Sequence, residues 1–166
     1  MVTLSAMTPY EVRPFGLPDR AWARRLLAER WDSPRIVTRG RVHQADELPG
    51  FVAEGADGLI GLLTYRIEDR QCEIVSLDSL VERQGVGTAL LSAAQRAGRE
   101  SGCTRLWLIT TNDNLAAVRF YQRRGFVLAA LHRNALELSR RLKPEIPLVG
   151  IDGIPLRDEI ELEMSL

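Results

Sequence analysis

The chain has 166 residues, enough for one domain with a substantial core, and its 27% charged and 45% hydrophobic content is ordinary for a globular protein. Twenty-two basic residues balance twenty-two acidic ones, so no global field draws in nucleic acid or an anionic membrane surface. No apolar run is long enough to span a bilayer, Met1 to Tyr10 lacks the basic start and apolar block of a leader, and Cys72 and Cys103 stand far apart without CxxC spacing, which together predict a cytoplasmic chain with two reduced thiols.

Tyr10 to Phe15 alternates as a strand does, and Pro18-Asp19 opens a helix with Trp22, Leu26 and Leu27 on one face. From Ser33 to Gly50 the polar stretch is punctuated by Pro34, Gly40, Pro49 and Gly50, which predicts a loop with a short strand or helical turn. Strands are predicted at Phe51–Glu54, Leu59–Ile67 and Cys72–Leu80, with turns at Gly55-Ala56-Asp57-Gly58 and Asp69-Arg70. From Gly85 the residues Val86, Ala89, Leu90, Ala93, Ala94 and Ala97 recur at helical spacing as far as Gly102. Leu106 to Ile109 is a continuous apolar run, the pattern of a central strand covered on both faces. Asn114 is placed to cap a helix over Leu115–Arg124, with Gly125 as its stop. Phe126–Leu131 reads as a strand and Asn134–Lys143 as a helix. Pro144, Pro147 and Pro155 mark a loop, and Glu159–Leu166 alternates as a last strand. The order predicts a mixed α/β sheet and not a doubly wound dinucleotide fold.

The most informative stretch is Leu80-Val81-Glu82-Arg83-Gln84-Gly85-Val86-Gly87-Thr88, which joins a strand to a helix. Glycine admits close approach of backbone to a ligand, and a helix start offers unpaired amides and partial positive charge, so a diphosphate fits here. No lysine followed by Ser or Thr makes it a Walker loop, and Leu90 occupies the third glycine position of a dinucleotide fingerprint. Downstream stands Asn114-Leu115-Ala116-Ala117-Val118-Arg119-Phe120-Tyr121-Gln122-Arg123-Arg124-Gly125-Phe126.

This pair of segments resembles the GCN5-related N-acetyltransferase (GNAT) superfamily, whose later helix carries N-x-x-A-x-x-[FL]-Y-x-x-x-G-F. Asn114, Ala117, Phe120, Tyr121, Gly125 and Phe126 meet every fixed position. The resemblance covers nearly the whole chain as one domain over residues 1–166, with its motif core at 59–131 and an insertion at 132–157 before the last strand. It implies a twisted mixed sheet of six or seven strands flanked by helices and splayed between strands 4 and 5. One departure is Glu82, where the family turn usually has Gln or Arg; it is expected to face solvent, leaving the binding to backbone amides.

By this resemblance acetyl-CoA is the co-substrate, no metal is needed, and the acetyl group passes directly to a primary amine of a small molecule or peptide. Ser79, Leu80, Val81, Gln84, Gly85, Val86, Gly87, Thr88 and Asn114 would contact the cofactor, with the Leu77 or Asp78 amide near the acetyl carbonyl. Tyr121 matches the tyrosine that protonates the departing thiolate, which a phenol of pKa about 10 is able to do. Glu73 is the candidate base, on a strand face with Val75, Leu77 and Ser79, while Asp78 on the other face is the alternative carboxylate. Asn112 and Asp113 would border the cleft. His43 and His132 lack metal-ligand spacing and read as surface or loop residues.

Acceptor selectivity is expected from residues 132–157 and from Ser33–Gly50. Glu145, Asp152, Asp158 and Glu159 would attract a cation there, and equally suit solvated charges. No nucleic-acid or membrane partner is implied, and exposed strand edges would suit a homodimer. A non-catalytic acyl-CoA sensor on the same fold would have no need of Tyr121, and a purely structural module no need of CoA.

Overall fold

The structure, a computed structural model, describes residues 9–166, so the reading of Met1 to Tyr10 falls almost wholly outside it. Alternating segments become β1 (Tyr10–Pro14), β4 (Gly50–Gly55), β5 (Gly58–Glu68), β6 (Gln71–Ser79), β7 (Arg105–Thr111), β8 (Val127–His132) and β9 (Glu159–Ser165). The segments of helical period become α1 (Arg20–Trp31), α2 (Val86–Glu100), α3 (Leu115–Gln122) and α4 (Ala135–Leu142). Seven strands form one sheet in the order β1-β4-β5-β6-β7-β9-β8, in which β6 and β7 run parallel and the other neighbours antiparallel. Ser33–Gly50 is more ordered than expected: β2 (Arg35–Thr38) and β3 (Arg41–Gln44) pair as a separate hairpin. Strands of four residues carry too short an alternation to stand out beside Pro34 and Gly40.

Both faces of the sheet are covered. On one, Val86, Leu90, Leu91 and Ala94 of α2 and Tyr121 of α3 pack on Ile74, Leu106, Leu108 and Leu162. On the other, Ala23, Leu26 and Leu27 of α1 meet Ile36, Val52, Leu62 and Val75. Strand β7 corrects one expectation. Leu106 and Leu108 are buried under α2, but Trp107 and Ile109 are half-exposed, so the strand is fully covered on one face. The guanidinium of Arg105 lies 5.1 Å from the Trp107 ring centroid on that other face.

A bulge positions everything that follows. Tyr65 pairs with Ile74 and Thr64 with Ser76, leaving Val75 of β6 without a partner in β5. A bulged strand bends and twists. One residue earlier, at Ile74–Leu108, the pairing of β6 with β7 ends, although both strands run on. The sheet is therefore open between its fourth and fifth strands.

The bulge also reverses the side-chain alternation. Leu77 packs with the α2 face, while Asp78 receives the Trp31 indole N–H of α1 at 2.9 Å. Glu73 and Asp78 thus share a face and Leu77 lies opposite, contrary to the simple period-two reading.

The segment after β8 is stitched to the end of β7. The Asn112 carboxamide accepts from the Arg157 and Asp158 amides at 3.0 Å each and donates to the Pro155 carbonyl at 2.9 Å. The Asp113 carboxylate accepts the Ile151 amide at 2.8 Å, and a Cβ on Gly150 would stand 2.1 Å from its Oδ2, so a side chain there would push the carboxylate out of place. Asn112 and Asp113 anchor this wall of the molecule and spend their polar groups doing so.

Candidate active site

The N-terminus of α2 sits at the mouth of the opening. Gly85 has φ +76°, a left-handed conformation that costs an ordinary residue about 1–2 kcal/mol, and its carbonyl accepts the Ala89 amide at 2.9 Å. The amides of Val86, Gly87 and Thr88 have no backbone acceptor among the described residues, as a helix start requires. The Val86 side chain is buried in the core, and a Cβ on Gly87 would press on the Phe120 ring at 3.2 Å, so Gly87 also sets the approach of α3 to α2. Glu82 is exposed, as expected. Gln84 turns inward with its Oε1 buried and unpartnered among the described residues.

Two of the amides in the stretch expected to face the cofactor have partners within the protein. The Leu80 N–H donates to Ile60 O at 2.8 Å, and the Val81 N–H points to Ser79 Oγ at 3.4 Å. Antiparallel alternation then puts the N–H and C=O of Leu77 and Ser79 on the open side of β6, and turns those of Asp78 toward β5.

The gap itself is a cavity of about 70 Å³ walled by Ile74–Leu77, Leu108–Thr110, Asn114, Ala117, Tyr121 and Trp31. Its walls come from both faces, so it passes through the sheet. Asn114 caps α3, its Oδ1 accepting the Ala117 amide at 3.1 Å. That cap fixes the first turn and with it the direction of Tyr121, two turns from the cap.

The Tyr121 ring packs edge-on against Phe120 and Phe126, with centroids 5.1 and 5.3 Å away. Its hydroxyl makes no hydrogen bond among the described residues, yet it lines the gap. Burial, reinforced by the Asp78 carboxylate, holds the phenol above its ordinary pKa. It is protonated at neutral pH.

Glu73 lies outside this gap. It borders a neighbouring pocket of about 100 Å³ with Arg66, Gln71 and Trp107, and the structure does not bring it into the cavity that Tyr121 lines. Its side chain is 5% exposed. Thr38 of the hairpin donates its hydroxyl to Glu73 Oε1 at 2.8 Å, and His43 Nε2 stands 2.7 Å from the same hydroxyl oxygen. Because the Thr38 O–H is donated to Glu73, its oxygen is left only to accept, so His43 donates through Nε2–H, which assigns its tautomer.

His43 is 3% exposed, not a surface residue, and burial lowers its pKa to about 4. It is neutral in the physiological range, so its 3.7 Å approach to Glu73 is not an ion pair. Arg66 Nε is 3.9 Å from Glu73 Oε2, too far to bond, and is buried without a partner among the described residues. Burial therefore raises the Glu73 pKa despite the Thr38 bond and the Arg41 charge, and Glu159 and Glu161 push the same way. No local signal in Ser33–Gly50 marked Thr38 or His43, because β2 reaches Glu73 only through the fold. His132 is the last residue of β8 and bonds Glu161 at 2.6 Å.

Asp78, the alternative carboxylate, does not line the gap itself but is bonded to Trp31, which does. Its one side-chain partner among the described residues is the Trp31 indole, and burial raises its pKa.

Arg124 was not picked out in the sequence, since its position in the helix pattern is a variable one. Its Nε donates to Thr88 Oγ1 at 2.8 Å, its Nη1 to the Phe120 carbonyl at 2.8 Å, and its guanidinium lies 3.6 Å from the Phe120 ring centroid. A fixed cation thus stands at the first turn of α2, where an anion is already favoured. Arg124→Gln is expected to weaken CoA binding about tenfold and to flatten its salt dependence, measured by calorimetry at two ionic strengths.

The sheet is thus open between parallel strands, with a glycine-led helix start at its mouth and, in the gap, a phenol unbonded among the described residues. Residues 11–126 match the acetyltransferase (GNAT) family. The uncharacterized protein YdhI of Bacillus subtilis (strain 168) is 45% identical over 149 residues, spanning 87% of this chain and 93% of the relative. In shape the chain is similar to the IAA acetyltransferase from Bacillus cereus, with TM-score 0.73 and 19% identity over 95% of this chain and 100% of that one. It is similar too to a GNAT family acetyltransferase from Elizabethkingia anophelis with acetyl-CoA bound, with TM-score 0.70 and 19% identity over 95% and 98% of the two chains. The chain belongs to the acetyltransferase (GNAT) family.

Proposed function

We propose that the chain moves the acetyl group of acetyl-CoA to a primary amine by direct attack within a ternary complex. The observation that carries this reading is the unpartnered phenol of Tyr121, facing a gap whose other wall offers the unpaired backbone of Leu77 and Ser79. Bound acetyl-CoA would supply a thioester, the electrophile of the reaction.

The residues of the chain do the rest. The amides of Val86, Gly87 and Thr88, with Arg124, hold the diphosphate at the α2 N-terminus. The Leu77 and Ser79 backbone aligns the pantetheine arm, and the Leu77 N–H polarises the acetyl carbonyl. Glu73, reached through water, takes one proton from the amine as the new N–C bond forms. The C–S bond breaks and the Tyr121 hydroxyl delivers a proton to the sulfur. Asp78 provides a second reading of the base, favoured by its hydrogen bond to Trp31, a residue that lines the gap. The balanced charge favours a small-molecule or peptide amine over a nucleic acid or an anionic membrane surface.

The test is to follow free thiol and acetylated amine together across a panel of amines supplied with acetyl-CoA. One acetylated amine per thiol is expected. CoA binding without release of thiol would favour the sensor reading instead.

A further inference from the structure

A cleft of about 240 Å³ adjoins the gap on the α1 face of the sheet. Trp31 belongs to both cavities, and Thr110 of the one is followed by Thr111 of the other, so the two adjoin at the end of β7 with the indole between them. Its walls are Ile36 from β2, Leu136 from α4, and Ile146, Pro147 and Leu156 from the segment between α4 and β9.

The charged side chains at this cleft are Arg30, Asp32, Asp113 and Lys143, whose formal charges cancel. The two buried ones are spent inside the protein. The Lys143 ammonium donates to the Trp31 and Arg35 carbonyls at 2.5 and 2.9 Å, and Asp113 accepts from the Ile151 amide and the Thr111 hydroxyl. Arg30 and Asp32 are exposed at the rim. The acids singled out in the sequence lie elsewhere: Glu145 and Asp152 are exposed, Asp158 pairs with Arg157, and buried Glu159 accepts from the Arg39 amide and the Ser139 hydroxyl.

We infer that this cleft is the acceptor site and that it takes a primary amine carried on an apolar aliphatic or aromatic body, in preference to a polycation. The inference rests on the amine-transfer reading above. An alkyl or aryl body loses water against Ile36, Leu136, Ile146 and Leu156, which is favourable. Each further ammonium of a polyamine or amino sugar would be desolvated with no free carboxylate inside the cleft to receive it. The one reacting nitrogen escapes that penalty, because it must enter as the neutral amine to act as nucleophile.

With acetyl-CoA saturating, kcat/KM for phenethylamine and hexylamine is expected to exceed that for spermidine and kanamycin at least about tenfold. Val37→Asp, at another half-buried position of the wall, places a free acid in the cleft, as does Ile146→Asp in the loop. Either variant that folds is expected to shift the preference toward spermidine by about tenfold. A wild-type enzyme that prefers spermidine or kanamycin overturns the inference. If no amine releases thiol, calorimetry on the enzyme–CoA complex separates the two failures. Binding of phenethylamine but not spermidine sustains the cleft assignment and sinks the transfer reading. Binding of neither, or of spermidine as tightly, overturns the assignment.

Discussion

Tyr121→Phe is expected to lower kcat on an accepted amine about 100-fold, some 2.7 kcal/mol in the barrier, with CoA affinity changed less than about twofold. Removing the hydroxyl leaves no internal group unsatisfied, since the phenol has no partner among the described residues. The ring contacts with Phe120 and Phe126 survive, so folding stability is expected to be unchanged. The loss therefore reads out proton delivery alone. In the wild type, activity should persist to higher pH than an ordinary tyrosine pKa of about 10 would allow, because burial and Asp78 hold the phenol protonated. The descending limb of the pH–rate profile is expected to disappear in the variant. An unchanged kcat would take Tyr121 out of the mechanism.

The second large effect belongs to Glu73→Gln, where activity and stability should move apart. At neutral pH kcat/KM is expected to fall about 100-fold, with loss of the ascending limb of the pH profile. Stability should not fall, since the Gln carbonyl still accepts the Thr38 hydroxyl. The sign follows from linkage. Burial raises the folded-state pKa of Glu73 above its unfolded value near 4.3, so the folded state holds the proton more tightly. That contribution is complete below the unfolded pKa and is lost as pH rises through the folded pKa, where a buried carboxylate with incomplete compensation remains. The variant has no such loss, so its Tm should exceed that of the wild type near neutral pH and converge with it at about pH 4. Thermal unfolding at both pH values, beside the pH–rate profile, measures the two effects together. A rate unaffected by the substitution would transfer the base role to Asp78, to be tested by Asp78→Asn.

The legible part of the site was local. Asn114 and Tyr121 stand in one helix pattern, and the cap that Asn114 makes and the ring that Tyr121 presents are seven residues, two turns, apart. Gly85 lies at a strand-to-helix junction where a left-handed residue is needed, and its φ is indeed positive. What could not be read was the exception to period two on β6. The bulge depends on how β5 is registered against β6, which leaves Val75 unpaired, and nothing in Cys72–Ser79 alone records that. The face assignments of Leu77 and Asp78 failed for this reason. The amides of Leu80 and Val81, read as open to ligand, are likewise taken by Ile60 and Ser79.

Composition, periodicity and two short motifs were thus sufficient for the class of sheet, the order of the elements outside Ser33–Gly50, the glycine-led helix start and the cap that Asn114 makes, because each leaves a local pattern in the chain. The opening between β6 and β7, the burial of Glu73 beneath Thr38 and His43, the cation of Arg124 above α2 and the neutrality of the acceptor cleft arise from contacts between segments far apart in sequence. Burial and pairing belong to the assembled molecule. A charged residue in a loop reads alike whether solvent or a carbonyl receives it, and for Lys143 it is two backbone carbonyls.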